Sequence, residues 1–383
     1  MTKRKVCVVV TSRSNYARVK SVLQAIRERN DLDLQLIAGA SLLLWRFGKA
    51  VDIIAADGFD IARHLYFIVE GETLSTQAKS TGLGVIELAT AFEDIKPDVV
   101  LTVGDRFETM ATAIAASYMN IPLAHLQGGE VSGNIDDSVR HAITKLANLH
   151  FATTLKSVQR IIAMGEEEWR VKWTGDPSID LLVKEDVVLD ESLFKKYGGI
   201  GLPIDCSKPY IVMVQHPVTT SYGRGFHEVQ ETLRALRERP EQKIVLWPNI
   251  DAGSDDVSKG IRMFREQNME RNYHYYRNFS PEDYGCILSH AVCAVGNSSS
   301  FIREGSYLGV PAVIAGDRQR GRECGSNVLF VNYDHKEIGQ ALDQQIRHGR
   351  YASIDLYGDG KAGQKIAEYL ATLSFTIFKR MTY

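Results

Sequence analysis

The sequence predicts an α/β fold in which two Rossmann-like, doubly wound domains face a cleft. Short apolar runs alternate with amphipathic helical patterns along most of the chain, and this alternation is typical of parallel sheets covered by helices. The alternation occurs in two series, with a break at Gly175-Asp176-Pro177. A chain of 383 residues is long enough to form two such domains.

The first series predicts an N-terminal domain that comprises residues 1–176. Its strands are apolar runs that end in turn residues, and its helices carry apolar residues at helical spacing. The predicted strands are Val6–Val10, Leu34–Ala38, Val99–Val103, Pro122–Leu126, Phe151–Thr153 and Val171–Trp173. The predicted helices are Ala17–Arg29, Gly82–Ile95, Thr109–Met119 and Asp137–Ala147.

The second series predicts a C-terminal domain, residues 206–360, after a connecting segment, residues 177–205. Its predicted strands are Tyr210–Val214, Lys243–Leu246, Tyr273–Tyr276, Ala291–Val295 and Pro311–Ile314. Its predicted helices are His227–Arg237, Val257–Glu266, Pro281–Ser289 and Ile302–Leu308. An amphipathic helix in the last segment, residues 361–383, is expected to pack back on the first domain.

The composition excludes several classes of protein. The chain has 45 basic and 47 acidic residues, so no basic field favours a nucleic acid or an anionic membrane. Its five cysteines are scattered without the spacing of zinc ligands, so we expect no metal and a reducing, cytoplasmic location. Gly358–Gly363 matches Gly-x-Gly-x-x-Gly but follows no predicted strand, so no nicotinamide or flavin cofactor is expected.

The segment after the predicted strand Ala291–Val295 is typical of an anion site. The hydroxyl residues Ser298–Ser300 come directly before a helical pattern that carries Glu304. A strand that ends in small residues at a helix start presents free backbone N–H groups and the positive end of the helix dipole. Arg318 adds positive charge, and Glu304 can accept hydrogen bonds from sugar hydroxyls. An ordinary serine-capped helix explains the pattern equally well.

Polar clusters follow several predicted strands of both domains. Because α/β folds place their sites at the carboxyl ends of the strands, we expect these clusters to line one cleft, as in the GT-B arrangement. Each cluster alone has a structural explanation, such as a helix cap or a buried histidine, and only their joint occurrence favours function. The clusters are Thr11–Tyr16, Gly104–Glu108, His125–Glu130, Asp136–His141, Gln215–Thr219 and Trp247–Asp251.

These ordered motifs resemble a known family over essentially the whole chain. The sequence is similar to the hydrolysing UDP-N-acetylglucosamine 2-epimerases of sialic-acid and related nonulosonate biosynthesis. The non-hydrolysing bacterial epimerases carry Arg-Pro-Glu where this chain has Arg13-Ser14-Asn15, and they lack its Asp-Asp-x-x-Arg-His run. The matching motifs are Ser12–Tyr16, Gly104–Glu108, Gly128–Gly133, Asp136–Lys145, His216–Thr219 and Pro248–Gly253.

The resemblance implies a reaction that converts UDP-N-acetylglucosamine and water to N-acetylmannosamine and UDP, without a cofactor. Family members first expel the nucleotide diphosphate, and the positive character at C1 makes the C2 proton acidic. Loss of that proton gives a glycal, to which water adds with inverted configuration at C2. This route needs groups that stabilise the diphosphate, an acid or base near C2, and a group that handles water.

We assign the residues of this chain to those roles as hypotheses. Asp105 is the first choice for acid–base work, with Glu130 and Asp137 as the other carboxylates. His216 is expected to donate a proton to the leaving phosphate. The expected binding residues are Arg13, Ser298, Ser299 and Ser300 for the diphosphate, Arg318 and Glu304 for the nucleotide, Asn249 on the second-domain wall, Arg106 for the substrate, and Arg140 and His141, which orient the sugar or the catalytic carboxylates.

Three departures from the family pattern bear on mechanism and substrate. Gln127 stands where many members have an acidic residue, and a glutamine cannot act as a base. Asn15 replaces the usual aspartate. The segment Ala40–Gly48 lacks the common His-Leu-Ser-Pro and is apolar; since the resemblance implies a position near the sugar, this favours a less polar sugar such as a diacetamido-trideoxy sugar.

The sequence and its resemblance together favour UDP-N-acetylglucosamine as the substrate. The alternatives are the same reaction on a UDP- or GDP-linked 2,4-diacetamido-trideoxy sugar, a non-hydrolysing epimerase, a glycosyltransferase and a nucleotide-sugar sensor without turnover. The expected partner is the nucleotide sugar, with no nucleic acid and no membrane, and the resemblance implies a homodimer or homotetramer.

Overall fold

A computed structural model of the chain describes residues 3–133, 135–183, 187–267, 272–374 and 376–382. It confirms the predicted fold class, with two parallel sheets that are each covered by helices. The strands of the first sheet are β1 (Arg4–Val10), β2 (Leu32–Gly39), β3 (Ile61–Leu65), β4 (Val99–Val103), β5 (Leu123–Leu126), β6 (Leu149–Ala152) and β7 (Val171–Trp173). Those of the second are β8 (Tyr210–Val214), β9 (Gln242–Leu246), β10 (Tyr273–Tyr276), β11 (Cys293–Gly296), β12 (Ala312–Ala315) and β13 (Val328–Val331).

Both sheets are doubly wound. The strand order is β3-β2-β1-β4-β5-β6-β7 in the first sheet and β10-β9-β8-β11-β12-β13 in the second. The direction of winding therefore reverses between β1 and β4, and again between β8 and β11. Ligands of doubly wound sheets bind outside the carboxyl ends of the strands at such reversals, so the topology itself indicates the place of the site.

Helices connect the strands and cover the sheets. Those of the described residues are α1 (Arg13–Glu28), α2 (Val51–Ala56), α3 (Leu74–Ile95), α4 (Phe107–Tyr118), α5 (Ile135–Leu146), α6 (Leu155–Ala163), α7 (Pro177–Val183), α8 (Glu191–Lys195), α9 (Gly225–Arg237), α10 (Ser254–Gln267), α11 (Pro281–His290), α12 (Arg303–Leu308), α13 (His335–His348) and α14 (Ala362–Thr372). Within these ranges, no helix has the length and apolar character needed to cross a membrane.

The last helix belongs to the packing of the first domain. Ile366, Ala367 and Leu370 of α14 are buried in the apolar cluster that also contains β1 and α1. The close approach requires glycine at position 363, because a Cβ there would lie 2.7 Å from the backbone of Ser21 in α1. Beyond α14, residues 376–382 lie against the same domain, where Arg170 donates to the carbonyl of Phe378 at 2.6 Å.

Candidate active site

A cleft of about 310 Å³ lies between the carboxyl ends of the two sheets. Residues that follow β1 and β4 line it from the first domain, and residues that follow β8, β9 and β11 line it from the second. The expected cleft is therefore present. The predicted site residues that line it are Arg13, Asp105, Arg106, His216, Asn249, Ser298, Ser299, Ser300, Glu304 and Arg318. Glu130, Asp137, Arg140 and His141 lie outside its lining.

Asp105 lies two residues beyond the end of β4 and is an ionised carboxylate. The guanidinium of Arg140, only 1% exposed, donates to its Oδ2. Burial acts to raise the pKa of Asp105, but Arg140 and Arg18 outweigh burial and hold that pKa well below its usual range. Asp105 thus presents a fixed negative charge to the cleft, which suits stabilisation of positive character on a sugar ring better than proton transfer near neutral pH.

Asp136 lines the cleft and has the opposite electrostatic character. Burial, together with the nearby Asp105 carboxylate, raises the pKa of Asp136 to about 6. A carboxyl group that titrates near neutral pH can take up and release a proton during a reaction cycle. Asp136 belongs to a motif recognised in the sequence but was not among the predicted site residues, although it lines the cleft.

Its neighbour Asp137 supports the backbone of the adjacent loop and does not line the cleft. Asp137 accepts hydrogen bonds from the backbone N–H groups of Ser132 at 2.7 Å and Gly133 at 2.9 Å, and from Arg140 at 2.6 Å. Consecutive helical residues point about 100° apart, so only one of the two aspartates faces the cleft. The structure places Asp137 in support of the loop before α5 and of Arg140.

Glu130 connects the two domains behind the cleft. Its side chain, 3% exposed, accepts hydrogen bonds from Thr153 at 2.7 Å, from Arg303 at 2.6 Å and from Arg322. Burial acts to raise the pKa of Glu130, but Arg303 and Arg322 hold it well below the usual range. Because every oxygen is paired and the group does not line the cleft, its geometry fits a positioning role rather than the catalytic role expected for it.

His216 follows β8 on the opposite wall. Its Nδ1 accepts a hydrogen bond from the backbone N–H of Asn249 at 3.2 Å, so in the neutral ring the proton resides on Nε2. Burial lowers the pKa of His216 well below its ordinary value, and positive charge from Arg318, Arg13, Arg106 and Arg18 lowers it further. His216 is therefore a neutral donor in a cationic part of the cleft.

The segment Ser298–Ser300 forms a polar floor, the serine floor, on the second-domain side of the cleft. Ser299 Oγ accepts hydrogen bonds from Arg18 at 3.1 Å and from Arg303 at 3.1 Å. Ser300 Oγ lies 2.7 Å from the hydroxyl of Tyr284. The serines lie in a short 3₁₀ turn, and the regular helix α12 begins only after that turn. Arg18 and Tyr284, both of which line the cleft, were missed by the sequence analysis.

Glu304 and Arg318 complete that side of the cleft. Burial, with a contribution from Asp176, raises the pKa of Glu304 to about 7. Its Oε2 is buried and has no hydrogen-bond partner among the described residues, so it is available to accept from ligand hydroxyl groups. Arg318 donates to the carbonyl of Asn297 at 3.3 Å.

Two arginines of the first domain cross the cleft. Arg13 donates to the carbonyl oxygens of Trp247 and Arg277, and burial lowers the pKa of Arg13 to about 10, which still leaves it charged at neutral pH. Arg106 donates to Asp251 of the second domain at 2.6 Å. Both arginines hold the domains together as well as lining the ligand space.

The positions that depart from the family pattern lie mostly outside the cleft lining. Gln127 has a φ of 68° and donates to Asp176 at 2.7 Å. The apolar loop does not line the cleft directly: Leu42 and Leu43 are 1% and 7% exposed in the core of the first domain. Phe47 of the same loop lines a small pocket together with Arg13 and Asn249, so the position of this loop near the sugar stays a prediction. His141 is half-buried, and burial lowers its pKa.

Within the described ranges, one group has side-chain oxygens and nitrogens close enough to hold a metal ion, namely Glu231, Asp334 and His335. It does not line the cleft. Glu231 accepts from the backbone N–H of His335 at 3.0 Å, and Asp334 accepts from that of Lys336 at 2.9 Å. These contacts begin helix α13, so capping accounts for the group.

Comparison with known proteins agrees with this geometry. Residues 24–371 match the profile of the family described as UDP-N-acetylglucosamine 2-epimerase. A hydrolysing UDP-N,N'-diacetylbacillosamine 2-epimerase from Legionella pneumophila is 32% identical over 97% of this chain and 96% of its own length. A UDP-N-acetylglucosamine 2-epimerase from Neisseria meningitidis is 27% identical over 94% of this chain and 91% of its own length.

Solved structures share the fold. The UDP-GlcNAc 2-epimerase from Neisseria meningitidis bound to UDP-GlcNAc has a TM-score of 0.77, with 19% identity over 96% of this chain and 99% of that one. The Methanocaldococcus jannaschii UDP-GlcNAc 2-epimerase in complex with UDP-GlcNAc and UDP has a TM-score of 0.79, with 16% identity over 96% of this chain and 99% of that one.

Proposed function

Since this chain belongs to the UDP-N-acetylglucosamine 2-epimerase family, we propose that it is a hydrolysing 2-epimerase. It converts a UDP-linked 2-acetamido sugar and water to UDP and the free sugar with inverted C2, in the route to sialic-acid-type sugars. The observation that carries the proposal is that two carboxyl groups of opposite electrostatic character line the same cleft: Asp105, which Arg140 keeps ionised, and Asp136, whose pKa is raised to about 6.

The nucleotide occupies the second-domain side of the cleft in this proposal. Arg318, Arg13, Arg106 and Arg18 all act electrostatically on His216, so positive charge is concentrated where a diphosphate would be expelled. The Nε2–H group of His216 donates a hydrogen bond to the leaving phosphate. Glu304 accepts hydrogen bonds from the ribose hydroxyls through its unpaired Oε2.

The sugar faces the first domain. Asp136, as a carboxylate, removes the C2 proton while the C1–O bond to the diphosphate breaks, and the electrons of the C2–H bond form the C1=C2 bond of the glycal. Asp105, whose charge is held by Arg140, stabilises the positive character at C1. Glu130 and Asp137 act through Arg303, Arg322 and Arg140 as positioning residues.

UDP-N-acetylglucosamine is the first substrate that we propose. The second candidate is a UDP-linked 2,4-diacetamido-2,4,6-trideoxy sugar, which the name of the Legionella pneumophila relative suggests. The apolar residues Phe107, Met110, Ile135 and Val139 line the first-domain side of the cleft, and these suit a 6-methyl group and an acetamido methyl group better than two hydroxyls.

The experiment that tests the proposal supplies each nucleotide sugar to the purified protein and follows free UDP and free sugar by NMR. We expect UDP and the corresponding manno sugar in equal amounts. Accumulation of the UDP-linked manno sugar would instead identify a non-hydrolysing epimerase, and binding without UDP release would identify a sensor. The ratio of kcat/KM for the two sugars decides between the substrates.

A further inference from the structure

Asp251 is a cleft carboxylate that the proposed elimination step does not use. It lines the cleft from the second domain, directly after the segment Pro248–Ile250. Its Oδ1 accepts a hydrogen bond from Arg106 at 2.6 Å. Its Oδ2 is buried and has no hydrogen-bond partner among the described residues. A buried carboxyl oxygen without a donor is costly unless a ligand or a proton satisfies it.

The position of Asp251 follows from the closed arrangement of the domains. Arg106 contacts Glu108 of its own helix at 3.1 Å and Asp251 across the cleft at 2.6 Å. Nearby, the backbone N–H of Ala252 donates to Gln77 of α3 at 3.0 Å. Asp251 also lies near enough to contribute to the raised pKa of Asp136. The second domain thus brings a carboxylate to the sugar end of the cleft.

The stereochemistry of the reaction requires a proton donor on the second-domain side of the sugar. In a gluco sugar with an α-linked nucleotide, the C1–O bond and the C2–H bond point to opposite faces of the ring. A base on the first domain therefore removes the C2 proton from the face away from the nucleotide. Inversion at C2 needs the new proton to arrive from the nucleotide-facing side, which the second domain lines.

We propose that Asp251 carries the proton in the hydration half of the reaction, an inference that rests on the proposed hydrolysing function. Oδ1 stays paired with Arg106, while Oδ2, which no donor in the described part of the chain occupies, carries a proton taken up from solvent. Oδ2 gives that proton to C2, and the electrons of the C1=C2 bond form the new C2–H bond. Positive charge then develops at C1 and the ring oxygen. A water molecule forms the C1–O bond, and its proton returns to Oδ2, so Asp251 ends the step as it began.

The other second-domain carboxylate in the cleft is less well placed for this role. Glu304 lies next to the serine floor, with Ser299 in contact with Arg18 and Arg303, and its position suits the nucleotide. Asp251 instead shares Arg106 with the first-domain helix α4, which begins directly after the Asp105-Arg106 motif. Among the described carboxylates that line the cleft from the second domain, Asp251 is therefore the one at the sugar end.

The test is Asp251→Asn with product analysis. Because elimination uses Asp136 and not Asp251, we expect the variant to release UDP and to accumulate the glycal in place of the manno sugar. Supplied directly with the synthetic glycal, the variant should hydrate it about 10²-fold or more slowly than the parent. A variant that forms manno sugar and UDP in the parent's ratio, or that hydrates the glycal at the parent's rate, overturns the proposal.

Two further variants separate this role from simple support of Arg106. Glu108→Gln removes the other carboxylate that contacts Arg106, and it should lower UDP and manno sugar together without glycal. Asp256→Asn makes the same chemical change five residues along, outside the cleft lining, and should match the parent. If the parent itself forms neither UDP nor manno sugar, the proposed function fails, whereas glycal hydration by the parent and the variant alike defeats only the role of Asp251.

Discussion

At the scale of single residues, the environment of each carboxylate decides its role more than its identity does. Asp105 and Asp136 are both aspartates in one cleft, yet Arg140 keeps the first ionised while burial raises the pKa of the second to about 6. The carboxylate of Asp137 accepts hydrogen bonds from two backbone N–H groups and from Arg140. Three similar side chains therefore differ: one keeps a fixed charge, one titrates near neutral pH and one supports the local backbone.

Replacing the proposed base tests this division. Asp136→Asn removes the group that accepts the C2 proton, and we expect kcat/KM to fall by about 10²- to 10⁴-fold. Release of UDP from the nucleotide sugar, measured with a coupled assay, reports the loss. Asp137→Asn should lower the melting temperature but reduce kcat/KM of the folded enzyme much less than Asp136→Asn does. If Asp137→Asn instead causes the larger loss of kcat/KM, Asp137 is a catalytic carboxylate, as the sequence predicted.

The pH dependence gives a second prediction for the same group. Burial raises the pKa of Asp136 to about 6, so the carboxylate form, which the elimination requires, is lost as the pH falls through that value. We expect kcat/KM to decrease as the pH falls through that value, and protonation of Glu304, whose pKa is raised to about 7, to add a second decrease that begins at slightly higher pH. A profile that stays flat down to pH 4.5 would show that no such carboxyl group governs the reaction.

At the scale of elements, strands with buried apolar runs were predictable, whereas the edge strands β3 and β13 were missed. The strands β1, β4 and β8 lie where the apolar runs placed them, because they are covered on both faces. The edge strand β3 was missed since three of its five residues are exposed and it has no continuous apolar run. At the other sheet's edge, β13 is only partly buried and was missed for the same reason.

The last helix provides a stability prediction at this scale. Ile366 of α14 is fully buried among residues of β1 and α1, so Ile366→Ala should lower the free energy of unfolding by about 2–5 kcal/mol. Urea denaturation followed by circular dichroism measures the change. The matched control Gln364→Ala lies on the exposed face of the same helix and should change stability by less than about 0.5 kcal/mol. Equal, small effects would show that α14 is dispensable to the fold.

At the scale of the whole molecule, the two domains are joined by buried ion pairs behind the cleft. Arg303 and Arg322 both lie within contact of Glu130, and all three side chains are less than 5% exposed. Sequence motifs placed Glu130 in the correct loop, but no local pattern reveals that its partners come from the other domain. For the same reason the contact of Arg18 with the serine floor could not be predicted: Arg18 lies in the first turn of a predicted helix of the first domain, and its partner Ser299 comes from the second.

Glu130→Gln distinguishes support from catalysis. Removal of this carboxylate leaves two buried guanidinium groups without their main partner, so we expect a loss of about 3 kcal/mol in stability. The lost activity should appear largely as a raised KM, because Arg303 also donates to Ser299 of the serine floor, where we propose that the diphosphate binds. An unaltered melting temperature together with a large fall in kcat would show that Glu130 takes part in the chemistry.

The most direct measurement of the central claim is turnover in heavy water. The parent enzyme is incubated with UDP-N-acetylglucosamine or with the UDP-linked diacetamido sugar, and the products are analysed by NMR and mass spectrometry. The account predicts free UDP and an equal amount of free manno sugar that carries one deuterium at C2, from at least one of the two substrates. Free sugar with retained gluco configuration and no deuterium, or no UDP from either substrate, would contradict it.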